Sequence, residues 1–210
     1  PVIWENIGDP VAKGEKVPQW IKDHVAEALK DDKTYAYSPT MGLLETRQYI
    51  ANERNLEGGI QITENDILFF NGLGDPISKI YRSLNPAARV IGPNPAYPTH
   101  SSAEAAHGRS SHITYPLDPN NGWQPDLTKM EEEIVAHPEV VGILIVNPDN
   151  PTGIVYSDEN MKGIVALAKK YNLFIISDEI YSNLVYDGVE YKKLAQYIDD
   201  VPAIAMRGVS

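Results

Sequence analysis

The chain has no cysteine in 210 residues. That excludes disulfide bridges, a thiolate zinc site and a cysteine nucleophile, and it permits a reducing compartment. Basic residues are scarce beside acidic ones, 18 against 29, for a net charge of −11. Such a balance argues against binding a nucleic-acid backbone, although it says little about fold. No apolar run approaches the ~18–20 residues that a membrane span needs. The opening Pro1-Val2-Ile3-Trp4-Glu5 lacks the basic and apolar regions of a signal peptide. The start without methionine points to a trimmed N-terminus. We therefore expect a soluble, cytoplasmic protein with neither nucleic-acid nor membrane partners. His24, His100, His107, His112 and His137 lie in no H-E-x-x-H pattern, so they are expected on surfaces or helix faces and no metal is assigned. A serine nucleophile elbow, a P-loop lysine, internal repeats and low-complexity tracts are also lacking.

What is present is an alternation of apolar strands with amphipathic helices. Helices are expected at 18–31, 43–55, 76–84, 99–106, 127–136 and 158–171, the first with Trp20, Ile21, Val25, Ala28 and Leu29 on one face. Gly58-Gly59 ends the second. Strands are expected at 67–70, 89–91, 112–115, 140–146, 173–176 and 203–206. This order implies parallel βαβ units with helices on both faces, a three-layer α/β fold.

Two segments carry most of the chemical information. Asn147-Pro148-Asp149-Asn150-Pro151-Thr152-Gly153 follows the apolar run 140–146, and Ser177-Asp178-Glu179-Ile180-Tyr181 follows 173–176. Both fall at carboxyl ends of strands, where open α/β sheets place ligands. An amide, a carboxylate and a phenol together suit a flat, electron-poor heteroaromatic ring bearing a phenolic oxygen: the carboxylate pairs with a protonated ring nitrogen, and the amide and phenol donate to the oxygen. Taken singly, Asn150 could start a turn and Asp178 could cap a helix. Asn71-Gly72-Leu73-Gly74-Asp75 joins a strand to a helix and could present backbone N–H groups to an anion, or be a tight βα turn. A dinucleotide site is disfavoured there, because position 77 is Ile rather than a third glycine and no acidic residue ends the next strand. Prolines on both sides of Tyr97 fix its direction, as a stacking platform or as an ordinary turn aromatic.

At these residues the chain resembles the fold-type I pyridoxal-phosphate enzymes, in particular the class I/II aminotransferases. Asn150 resembles the asparagine of N-P-x-N-P-T-G, and Asp178 and Tyr181 those of D-E-x-Y. The turn 71–75 is similar to the family's phosphate loop, which implies that the amides of Leu73, Gly74 and Asp75 hold the cofactor phosphate; a hydroxyl residue usual near Gly74 is missing. Asn94-Pro95-Ala96-Tyr97-Pro98 looks like P-x-Y-P, whose aromatic covers the pyridine ring. Tyr37 with Gly42, Leu44 and Arg47 resembles a pattern whose tyrosine reaches the partner subunit's cofactor, implying a homodimer with a shared active site. Gly8 matches a glycine that approaches the substrate carboxylate, or is a plain turn. The resemblance implies pyridoxal 5′-phosphate as cofactor, with an amino acid and a 2-oxo acid as substrates. It assigns residues 1–40 partly to a small domain and 41–210 to a large cofactor domain. Whole enzymes of this family are about twice this length. The lysine that carries the cofactor is expected directly after Ser210; Lys192 and Lys193 precede the last strand and are not substitutes, so no catalytic residue is assigned within the chain. Gly208 stands where a phosphate-binding serine is common, which shifts that grip towards Ser210. Glu179 is expected to be structural. Trp4 and Tyr37 could border the substrate pocket. Two further readings stay open: another fold-type I reaction, such as a β-lyase, decarboxylase or cyclopropane-forming synthase, and a non-catalytic regulator using the same fold as a ligand sensor.

Overall fold

A computed structural model describes residues 8–209. Backbone contacts divide the chain into two compact units, Pro1–Leu43 and Leu44–Ser210. In the first, helix α1 (Gln19–Ala28) starts after Pro18 and is shorter than the apolar pattern suggests. It stops because side chains further along take its last carbonyls: Thr34 Oγ1 donates to Ala28 O at 2.6 Å and Tyr35 Oη to Leu29 O at 2.9 Å.

The second unit contains helices α2 (Leu44–Leu56), α3 (Gly74–Ser83), α4 (Pro98–Gly108), α5 (Leu127–Ala136) and α6 (Asp158–Tyr171). Its strands are β1 (Arg89–Asn94), β2 (Thr114–Asp118), β3 (Gln124–Pro125), β4 (Val140–Val146), β5 (Phe174–Asp178) and β6 (Ala203–Met206). Among the described residues they form one sheet in the order β3-β2-β1-β4-β5-β6. All neighbours are parallel except β2 and β3. The period-2 alternation of strand side chains sorts the core into two layers. Ile91, Ile143, Ile145 and Ile175 pack with Met130, Ile134, Met161 and Ile164 of α5 and α6. Val90, Leu144 and Ile176 point the other way, with Ile77 and Tyr81 of α3. Covered on both faces, β4 can be apolar throughout. The expected three-layer α/β fold is therefore found.

One expected strand is not formed. Residues 67–70 have no ladder partner among the described residues, and Leu68, Phe69 and Phe70 are exposed. Four β-prone residues supply propensity, but a strand exists only where a neighbour pairs with it. Conversely, β3 is a two-residue ladder too short to show a period. No described helix is long and apolar enough to cross a membrane.

The end of α2 depends on glycine. Gly59 has φ +89°, and a Cβ there would lie 2.1 Å from the carbonyl oxygen of Ala195. Ile60 N donates to that same oxygen at 2.8 Å, so the carbonyl is held. Gly58 has φ +83° but open space around it. Gly59→Ala should therefore lower stability by about 2–4 kcal/mol, combining backbone strain with a forced contact. Gly58→Ala should lose only the strain, and comparing the two in chemical denaturation checks the contact. Equal losses would show that the Ala195 carbonyl yields.

Candidate active site

The site sits where β4 and β5 end. Register pairs Val146 with Asp178, and Asn147 N donates to Asp178 O at 3.0 Å, so both polar segments leave the sheet side by side. Asp178 is 2% exposed. Its Oδ1 accepts from Ile180 N at 3.1 Å, and its Oδ2 lies 3.1 Å from His100 Nε2. With a carboxylate as acceptor, Nε2 must carry the proton. His100 Nδ1 is buried without a partner among the described groups. His100 reaches this position because Tyr97 caps α4 and Pro98 is its first residue, placing His100 in the first turn. The rings of Tyr97 and His100 meet edge-on, with centroids 6.2 Å apart.

Asn150 Nδ2 lies 3.4 Å from Tyr181 Oη, so an amide donor and a phenol converge on one place. The loop bearing Asn150 is braced by its neighbours: Asp149 Oδ2 accepts from Thr152 N at 3.1 Å and from its hydroxyl at 2.6 Å. Burial pushes the Asp149 carboxyl above its usual range, and the Thr152 bonds partly oppose this. Asn147 Oδ1 accepts from Tyr156 N at 3.0 Å, and Tyr191 Oη donates to Asn147 O at 3.0 Å. Burial raises the Tyr191 phenol far above its ordinary value, which keeps it a donor.

A cleft of about 190 Å³ joins these groups, lined by Gly72, Leu73, Gly74, Tyr97, Asn150, Asp178 and Tyr181, with Val146 and Ile180. Gly72 has φ +70°, which favours glycine; Gly74 begins α3 with no atom within 4 Å of a built Cβ. Packing within the protein thus leaves space at Gly74 beside a helix N-terminus, where an anion can approach.

Of the residues singled out from the sequence, Leu73, Gly74, Tyr97, Asn150, Asp178 and Tyr181 meet in this cleft. Asp75 does not line it. Its amide donates to Gly72 O at 3.4 Å, and its carboxylate caps Asn71 N and pairs with Lys79. Gly8 and Tyr37 belong to the Pro1–Leu43 unit. Ser210 and Trp4 lie outside the described residues. His100 was missed: expected on a surface or helix face, it is buried at 1% exposure. Its spacing of three from Tyr97, in a helix opened by proline, is the signal that could have placed both on one side of α4. Among the described residues no group of three or more His, Asp or Glu is placed to hold a metal.

Comparison with known proteins agrees with this geometry. The profile of the family described as aminotransferase class I and II matches residues 2–210. An uncharacterised aminotransferase of Methanocaldococcus jannaschii is 57% identical over 209 residues, covering 100% of this chain and 48% of that protein. The glutamate-pyruvate aminotransferase of Escherichia coli is 34% identical over 211 residues, covering 100% of this chain and 51% of its own. The solved alanine aminotransferase of Pyrococcus furiosus superposes with a TM-score of 0.87 at 29% identity, over 97% of this chain and 51% of that one. The chain spans about half the length of the curated relatives it matches. It belongs to the class I and II aminotransferase family.

Proposed function

We propose that the full-length protein is a pyridoxal-phosphate-dependent aminotransferase, moving an amino group between an amino acid and a 2-oxo acid. Members of this family use pyridoxal 5′-phosphate. The observation that carries the reading is one cleft uniting a buried carboxylate, Asp178, with the Asn150–Tyr181 donor pair and the open amides at the start of α3. These residues fit the cofactor. Asp178 lines the cleft with one partner on each oxygen, and a carboxylate has acceptor capacity beyond that, which a protonated pyridine nitrogen would take up. The two donors match a ring oxygen, and the α3 N-terminus matches a phosphate.

Bound there, pyridoxal phosphate supplies a conjugated, electron-withdrawing ring that weakens the α C–H bond of an attached amino acid. The chain's own residues would prepare that ring. Asp178 holds the proton at the ring nitrogen. His100 and the Ile180 amide each hold one Asp178 oxygen, so the carboxylate keeps its direction. Asn150 and Tyr181 hold the ring oxygen, and Tyr97 offers a face to stack on. The amides of Leu73 and Gly74 would grip the phosphate, with Ser210 on the resemblance; the Asp75 amide, which the resemblance also assigns to it, would first have to leave Gly72 O. The amine that moves the substrate proton would belong to the lysine expected after Ser210. We further propose a homodimer in which Tyr37 serves the partner's cofactor and Gly8 meets the substrate carboxylate. Residues 1–40 would contribute to a small domain and 41–210 to the cofactor domain. The absence of cysteine suits the cytoplasm.

The test is turnover by full-length protein given cofactor, with alanine and glutamate as donors because relatives are named for them. We expect amino product and 2-oxo product in equal amounts, and no turnover without a 2-oxo acid. Product formation independent of the 2-oxo acid would replace this reading with a lyase or decarboxylase. Cofactor binding without turnover of any donor would favour a sensor.

A further inference from the structure

Beside the cleft lies a charged network that the reading above leaves without a role. Glu179 directly follows Asp178 and is 1% exposed. Its Oε2 accepts from Arg207 Nε at 2.8 Å and from Arg207 Nη2 at 2.6 Å. Its Oε1 accepts from Leu194 N at 2.9 Å and from the Ser177 hydroxyl at 3.3 Å. Arg207 Nη1 reaches on to Glu57 Oε2 at 3.3 Å, and Glu57 also pairs with Arg54 and Lys193. A buried carboxylate with four donors is fixed in place, and so is the guanidinium that supplies two of them.

Its place in the fold gives this contact a consequence. Asp178 ends β5 and pairs in register with Met206, which ends β6. Glu179 N donates to Met206 O at 2.9 Å. Glu179 and Arg207 are the next residue on each strand, so their side chains carry the tie one step beyond the ladder. The chain leaving β6 is thus pinned by its first residue to the residue adjoining Asp178. We propose that Arg207 is a positioning residue: held by Glu179, it fixes the turn after β6 relative to Asp178 and so sets where the cofactor-bearing lysine meets the cofactor. This rests on the aminotransferase reading. Attachment requires the lysine amine to add to the cofactor's aldehyde carbon with loss of water. That demands an amine held in line with a ring whose nitrogen is already anchored at Asp178.

The test separates the cradle from the lysine. Full-length protein freed of cofactor is titrated with pyridoxamine 5′-phosphate, which lacks the aldehyde and reports on the cradle alone. It is also mixed with pyridoxal phosphate and quenched with borohydride, which fixes any lysine link. In Arg207→Met, pyridoxamine phosphate affinity should match wild type, while the rate of reducible attachment falls about 10²-fold, the scale of a misplacement of order 1 Å. Arg207→Lys keeps the charge without the paired N–H groups and should lie between the two. If Arg207→Met fails to fold, Arg207→Lys and Glu179→Gln carry the test, each expected to slow attachment alone. Equal losses of both ligands would make the network a plain scaffold and overturn the proposal, as would attachment at the wild-type rate. Wild-type protein that takes up neither ligand would overturn the aminotransferase reading and this proposal with it. Wild type taking both, with the variants unchanged, would overturn this proposal alone.

Discussion

In the full-length protein, Asp178→Asn should lower the proposed transamination by about 10²- to 10³-fold, the scale on which a buried ionic partner is lost. The substitution keeps size and most hydrogen bonds. The side-chain oxygen still accepts from the Ile180 amide. The new amide faces His100 Nε2, which becomes an acceptor once the imidazole proton moves to Nδ1. That nitrogen has no partner to oppose the change. The fold should therefore persist, and thermal unfolding of the cofactor-free protein checks that it does. What the asparagine cannot do is keep a pyridine nitrogen protonated, because it offers no negative charge. The loss should fall on kcat as well as kcat/KM, since the charge acts when electrons flow into the ring. Unchanged kcat in a folded, cofactor-loaded variant would remove Asp178 from the role assigned to it.

The sequence made the alternation of strands and helices legible because buried parallel strands and amphipathic helices carry strong local patterns. Residues 140–146 and 158–171 are read almost to the residue. The cleft was legible for a related reason. Asn150 and Tyr97 follow β4 and β1 and Asp178 ends β5, and a parallel sheet brings such ends to one edge whatever lies between; the 72–74 turn joins them at the start of α3 although no strand precedes it among the described residues. Residues 67–70 misled because propensity does not contain the partner. His100 and Asp178 are 78 positions apart, and their contact depends on how α4 is rotated over the sheet. No period in the sequence encodes that rotation. Glu179 and Arg207 posed the same difficulty: the charges were visible, but not that one would be buried against the other.

The rotation of α4 leads to the second large effect. Glu104 lies one turn beyond His100 on that helix and is wholly buried. It is met by Arg89 at the start of β1, with Nε to Oε1 at 2.6 Å and Nη2 to Oε2 at 2.9 Å. Arg89 also donates to the Ser110 hydroxyl and the Ser111 carbonyl, both at 2.7 Å, so one guanidinium clamps α4 and the chain beyond it to the sheet. Arg89→Met should destabilise the protein by about 3–5 kcal/mol, chiefly because it strands a buried carboxylate. The double variant Arg89→Met/Glu104→Leu removes that charge too and should recover most of the loss, since two apolar side chains can fill the space without a desolvation cost. Denaturant titration of all four proteins in the cycle reads this directly. If the double variant is as unstable as the sum of the singles, hydrogen-bond geometry rather than charge burial dominates the pair. Cofactor affinity should not follow stability in the recovered double variant. An apolar contact replaces the clamp without fixing helix rotation, so His100 would lose its aim at Asp178 and affinity should stay below wild type.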